Sequence, residues 1–249
     1  DVVAYLLARN GRDAWDGVLD ANTNLIIASG TPAGAEATSP GTAAEPEALD
    51  SWAAVDTIDD IARSRSSFSN KIIGDFKPVT ADMLNRPPPE DWLHWRRTAD
   101  GQGHSPLDQI NRKTVRTLKL AWVIAMRDGS NQATPLVHDG IMYLTEAPNT
   151  VYAVDAVTGR AFWRYEHVPS ADSRPCCGRV NRGVAIRDDT LFMAAIDAEL
   201  IAIDTVTGQP IWQTKVAEPT LGYAMTLAPL VIDDKVVVGV AGGEFGIRG

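Results

Sequence analysis

One pattern occurs twice in the chain and restricts what it can fold into. Ala153-Val154-Asp155-Ala156-Val157-Thr158-Gly159, followed by Trp163, matches Ala202-Ile203-Asp204-Thr205-Val206-Thr207-Gly208, followed by Trp212. The shared string is A-x-D-x-V-T-G-x-x-x-W, displaced by about 50 residues. A second phase of the same repeat reads PLVHDGIMYL from Pro135, GVAIRDDTLFMAA from Gly183 and PLVIDDKVVVGV from Pro229. Each of these is a strand, a two-residue acidic turn and a second strand. Four short strands per unit at this period predict an all-β fold built of β-propeller blades. Thr-Gly makes a tight turn in which glycine accepts positive φ. The aspartate before it can accept hydrogen bonds from the turn backbone. The tryptophan supplies a large apolar surface and one N–H for docking between neighbouring blades. Trp122, in LKLAWVIAM, opens the series.

The strand texture begins near Val79, and at about 45 residues per blade the stretch to Gly249 holds about three to four blades. What precedes it is different. Ala28 to Asp50 is made of Ala, Gly, Pro, Thr, Ser and Glu, too poor in apolar side chains to offset chain entropy, so residues 28–65 read as a linker. Residues 1–27 read as the helical tail of an upstream domain, with Val2, Val3, Leu6 and Leu7 at helical spacing and Asn10-Gly11 as a stop. Residues 66–249 are then the propeller part. The chain starts without an initiator Met or a signal peptide and reads as an internal piece of something longer. Most of the net charge of −9 lies in residues 1–90, and an acidic chain argues against nucleic acid as the main partner. No apolar run approaches the roughly 18 residues of a transmembrane segment.

Several side chains could carry chemistry. Cys176 and Cys177 are the two cysteines of the chain and are adjacent; spacing alone leaves free buried thiols and a vicinal disulfide equally open. Arg182 offers a planar, permanently charged fork. Gly242, Gly243 and Glu244 form a glycine loop with one hard carboxylate donor. His94, His104, His138 and His167 show no ligand spacing and read as turn or surface residues. Arg96-Arg97 reads as a packing or salt-bridge feature. Glu218 and Asp197 have acid/base potential with no nucleophile to pair with. There is no GxGxxG, P-loop or GxSxG motif.

From about Val79 onward the chain resembles the quinoprotein alcohol dehydrogenases, the methanol and ethanol dehydrogenases that use pyrroloquinoline quinone (PQQ). The likeness is carried by DWLHWRRTADGQGHSPLDQINRKTVRTLKLAW, by the tryptophan repeats, by PCCGRVNRG and by AGGEFGIRG. It implies the N-terminal portion of an eight-bladed ring. It also implies a Cys176–Cys177 disulfide lying flat against PQQ, and hence an oxidising, periplasmic compartment. Arg182 would contact the quinone end, Thr226 a PQQ carboxylate, and Gly242 and Gly243 the cofactor loop. Glu244 would bind the metal, Ca²⁺ or a lanthanide. Two positions depart from the family: Gln132 stands where many relatives have a glutamate that touches the cofactor, and Ala241 where many have a serine.

The resemblance implies oxidation of an alcohol to an aldehyde, with electrons passed to a cytochrome c, separate or fused. The catalytic aspartate and an asparagine metal ligand of the family lie downstream of Gly249, so no residue of this chain is named the base. DVVAYL further resembles the last helix of a class I cytochrome c domain. No C-x-x-C-H motif occurs here, which puts any haem c site upstream of Asp1. The rival reading is a non-catalytic propeller that uses the same repeats as a protein-binding scaffold. The Cys176-Cys177 pair, Arg182 and Glu244 argue against it.

Overall fold

The computed structural model describes residues 71–119, 121–127 and 130–248. The expected helical tail (1–27) and linker (28–65) lie outside the described residues. Two antiparallel four-stranded sheets follow each other along the chain. The first contains β1 (Leu136–His138), β2 (Ile141–Glu146), β3 (Thr150–Asp155) and β4 (Ala161–Glu166). The second contains β5 (Val184–Arg187), β6 (Thr190–Ala194), β7 (Glu199–Asp204) and β8 (Pro210–Lys215). In both, strands pair in sequence order, as consecutive hairpins demand. A two-stranded hairpin, β9 (Leu230–Ile232) and β10 (Lys235–Val237), begins the next unit. These are blades of a partial β-propeller.

Both faces of the first sheet are buried, which is why its strands read as nearly continuous apolar runs. Leu136, Ile141, Tyr143, Val151 and Ala153 face the second sheet and share a core with Val184, Ile186, Leu191, Met193, Ile201 and Ile203. The alternate residues Val137, Met142, Leu144, Tyr152 and Val154 form a second core. Against it pack Trp122, Ile124 and Met126, spaced like one face of a strand, as the last strand of a preceding blade would be. The far face of the second sheet forms a third core around Ala194, Leu200 and Met225 with β10.

The repeat motif works as a docking joint. Asp155 Oδ1 accepts from the Val157 and Thr158 amides at 2.9 and 2.8 Å, and Asp204 Oδ1 accepts from Val206 and Thr207 at 3.0 and 2.7 Å. Gly159 and Gly208 take φ of 71° and 70°. A β-carbon on either would lie 2.5 Å from the indole of the previous blade, Trp122 or Trp163 respectively. Glycine is therefore required twice over, for φ and for close approach of the ring. The indole nitrogens donate to the Ala156 and Thr205 carbonyls at 3.1 and 2.9 Å. The first acidic residue of each hairpin turn, Asp139, Asp188 and Asp233, is left-handed at φ 47°, 50° and 52°, a conformation aspartate tolerates better than most.

The lead-in segment covers the free edge of the first sheet. Trp92 exchanges backbone bonds with Val137 of β1 at 2.8 and 2.9 Å, and Val79 bridges to Asp188. A short helix, α1 (Ala81–Asn85), is capped by the Thr80 hydroxyl. Arg97 is buried and donates to the Pro87 and Pro88 carbonyls, and Arg96 lies over the Trp95 ring, so this arginine pair is a packing feature. His138 corrects the surface reading. It is 1% exposed, with Nδ1 2.7 Å from an Asp91 carboxylate that is itself buried and Nε2 2.7 Å from the Lys77 carbonyl. Two hydrophobic strands carried it inward, and only the lead-in segment supplies the acceptors that make its burial tolerable. Among the described residues no helix is long and apolar enough to cross a membrane.

Candidate functional site

The topology brings three equivalent chain segments together. The segments before β1, β5 and β9 approach one end of the sheets, the end that also carries the β2–β3 and β6–β7 turns. Gln132 lies in the first, Arg182 in the second and Thr226 in the third. Arg182 Nη1 donates to the Thr226 hydroxyl at 2.6 Å and to its carbonyl at 3.1 Å. The guanidinium is thereby held half-buried with its plane fixed from one side. The Thr134 amide reaches the Arg182 carbonyl at 3.4 Å, tying in the segment of Gln132. Gln132 itself is exposed and donates to Ser130 Oγ at 3.0 Å. A β-carbon on Gly183, whose φ is 126°, would sit 3.1 Å from the Thr134 carbonyl, so the first two segments pack backbone to backbone, and the Ala228 side chain of the third lies beside them.

Cys176 and Cys177 are joined in a vicinal disulfide, which decides between the two readings that spacing left open. Both are exposed, on the segment that leaves β4 and enters β5 through Arg182. Asn181, 2% exposed, anchors that entry: its Nδ2 donates to the Ala194 carbonyl at 3.2 Å and its Oδ1 accepts from the Gly183 amide at 3.0 Å.

The glycine loop joins the third segment. Ala241 and Ala224 form an antiparallel bridge just before Thr226, and Gly243–Phe245 is a turn of 3₁₀ helix that leaves Glu244 exposed. Gly242, at φ 137°, needs to be glycine for packing, since a β-carbon would lie 2.8 Å from the Gly222 carbonyl. Gly243 faces open space, with nothing within 4 Å of such a carbon. Its glycine has no internal packing reason.

Two features escaped the sequence. Glu146, buried at the end of β2, accepts from the Arg127 amide, from Arg127 Nε at 2.9 Å and from the Tyr152 hydroxyl at 2.7 Å. Burial alone would raise its carboxyl pKa; the hydrogen bonds outweigh that and hold it below the ordinary glutamate range. Asp197, 4% exposed in the β6–β7 turn, binds His167 Nε2 at 3.0 Å, so His167 too is misread as a surface residue. The Asp197 hydrogen bond raises the His167 pKa against the opposing effect of burial. No spacing rule links residues 167 and 197; packing of the second sheet against the first brings them together.

Among the described residues the arrangement is a partial propeller in which the segment leading into β5 carries an exposed vicinal disulfide and a threonine-fixed arginine. That combination defines a quinoprotein-type propeller. A sequence model of the PQQ-binding glucose/ethanol/alcohol dehydrogenase β-propeller domain matches residues 92–245, and the chain belongs to this PQQ-dependent alcohol dehydrogenase family. It is 42% identical over 152 residues to the quinoprotein alcohol dehydrogenase PedH of Pseudomonas putida, across 60% of this chain and 26% of that protein. It is 41% identical over 162 residues to the quinohemoprotein alcohol dehydrogenase ADH IIB of Pseudomonas putida, across 64% of this chain and 24% of the relative. A europium-containing methanol dehydrogenase superposes with a TM-score of 0.65 at 39% identity, over 68% of this chain and 31% of its own. The chain thus spans about a quarter of the length of the curated relatives it matches.

Proposed function

We propose that this chain forms one wall of a PQQ site in an enzyme that oxidises an alcohol to an aldehyde and passes the electrons to a cytochrome c. The observation that carries the reading is the Arg182–Thr226 pair standing ahead of β5 and β9, with the exposed Cys176–Cys177 disulfide on the segment that leads into Arg182. The donor set fits the group. A fixed guanidinium and a threonine hydroxyl suit quinone oxygens and carboxylates, the disulfide offers a flat polarisable surface, and Glu244 offers a hard oxygen for Ca²⁺ or a lanthanide. When bound, PQQ and its cation supply a two-electron acceptor and a Lewis acid.

The residues of this chain bind and orient. Arg182 holds positive charge at one edge, with Thr226 preventing its rotation. Gly243 leaves room beside Glu244, and Gln132 keeps a carbonyl acceptor where many relatives carry a glutamate. Glu244 would share the metal with ligands from later parts of the longer protein, which would also supply the proton-accepting base. An exposed disulfide suits an oxidising compartment, which supports reading the protein as periplasmic. A fused haem c domain preceding the propeller would make the acceptor intramolecular.

The test is reconstitution of the full-length protein with PQQ and either Ca²⁺ or a lanthanide. A quinone absorbance band and dye reduction with primary alcohols are expected. No band and no dye reduction with any alcohol or cation would overturn the proposal.

A further inference from the structure

The segment that carries the disulfide is exposed at its centre and tied down at both ends, and four of its side-chain and backbone ties converge on one stretch of chain. That stretch is the end of β6 and the turn from it into β7, residues 194–198. On the leading side, His167 Nε2 meets the two Asp197 oxygens at 3.2 and 3.0 Å, the Ser170 amide donates to Asp197 Oδ2 at 2.9 Å, and the Ser173 hydroxyl donates to the Ile196 carbonyl at 3.1 Å. On the trailing side, Asn181 donates to the Ala194 carbonyl. The turn is itself pinned by the previous blade, since the Ile196 amide donates to Asn149 Oδ1 at 2.8 Å from a fully buried asparagine. The Asn149 carbonyl in turn accepts from the His167 amide at 3.0 Å.

We propose that Asp197 is the positioning residue of the Cys176–Cys177 disulfide, fixing through His167 and Ser170 the leading foot of the segment that presents it to the cofactor. The assignment rests on the PQQ-site reading above. Asp197 does not touch the disulfide. Its carboxylate joins His167 and the Ser170 amide, both from a segment that has no strand of its own, and His167 Nε2 also lies 4.0 Å from a Glu199 oxygen. Without the carboxylate, His167 and the Ser170 amide lose their shared acceptor in a buried place. The leading foot of the cysteine loop then keeps its Ser173 tie and the His167 amide bond to Asn149, and loses its side-chain anchor on Asp197.

The experiment compares wild type with Asp197→Ala, Asp197→Asn and His167→Ala in the full-length protein. In the cofactor-free protein, dithiothreitol should reduce the disulfide about tenfold faster in Asp197→Ala, the scale of losing charge-assisted hydrogen bonds. Asp197→Asn keeps an acceptor oxygen for the Ser170 amide and should restore most of the wild-type rate. PQQ affinity should fall about tenfold in Asp197→Ala, with the thermal midpoint moved by only a few degrees. Reduction rates within twofold of wild type, or acceleration that tracks global unfolding, overturn the proposal, as does faster reduction with unchanged PQQ affinity. If Asp197→Ala does not fold, hydrogen exchange of the wild type decides: the Ser170 amide should be protected, and an unprotected one overturns the assignment. Wild type that binds no PQQ overturns the PQQ-site reading instead, and the cofactor-free reduction rates still judge Asp197.

Discussion

At the scale of single residues, the guanidinium of Arg182 shows why residue type matters more than charge. One nitrogen engages both the hydroxyl and the carbonyl of Thr226, and this bonding leaves the remaining donors of the fork in a defined plane. Lysine would keep the charge and lose the plane. Arg182→Lys is therefore expected to weaken PQQ by about tenfold or more, the cost of a lost charge-assisted hydrogen bond, with little change in thermal stability. A titration of the reconstituted protein followed by quinone absorbance measures it. Arg182 and the paired cysteines were legible in the chain because they share one short motif. The pairing of Glu146 with Arg127 and of His167 with Asp197 was not, because the partners stand 19 and 30 residues apart with no shared motif.

Among the elements, the tryptophan joint and the lead-in clamp set how blades meet. Gly208→Ala would force a β-carbon to 2.5 Å from the Trp163 ring at a φ of 70°, so it is expected to destabilise by about 1–3 kcal/mol, read from urea unfolding. The lead-in clamp is pH-sensitive. Burial disfavours protonated His138, but its bonds to Asp91 and the Lys77 carbonyl outweigh that and raise its pKa in the folded state. Its contribution is therefore fully present below the unfolded value, about 6.5, and is lost as pH rises through the folded value. Wild type should lose more stability than His138→Gln between pH 6 and pH 9 in urea melts, and parallel losses would exclude the clamp. The turn chemistry behind these joints was plain in the repeats. The second demand on Gly159 and Gly208, room for the neighbouring indole, appears only when the blades stand side by side.

At the scale of the whole molecule, the described residues present one apolar side that is exposed. All of β8 is exposed, Trp212 is 40% exposed, and Leu230 and Ile232 of the two-stranded hairpin are 44% and 49% exposed. Trp163 at the equivalent place, covered by the following blade, is 0% exposed. Residues 71–249 produced alone should bind a hydrophobic dye and self-associate with concentration in light scattering, and the full-length protein should do neither. By itself the sequence determined the architecture, because a repeat of strand, acidic turn, strand and Thr-Gly-tryptophan joint is local chemistry written at a fixed period. It also named the cysteine, arginine and glycine motifs, each contiguous in the chain. The tertiary structure alone decided which of these meet: Arg182 with Thr226, His138 with Asp91, and the disulfide segment with Asp197. Those pairs join different sheets or the lead-in segment, and the packing of one sheet against the next around a shared core is what brings them within hydrogen-bonding distance.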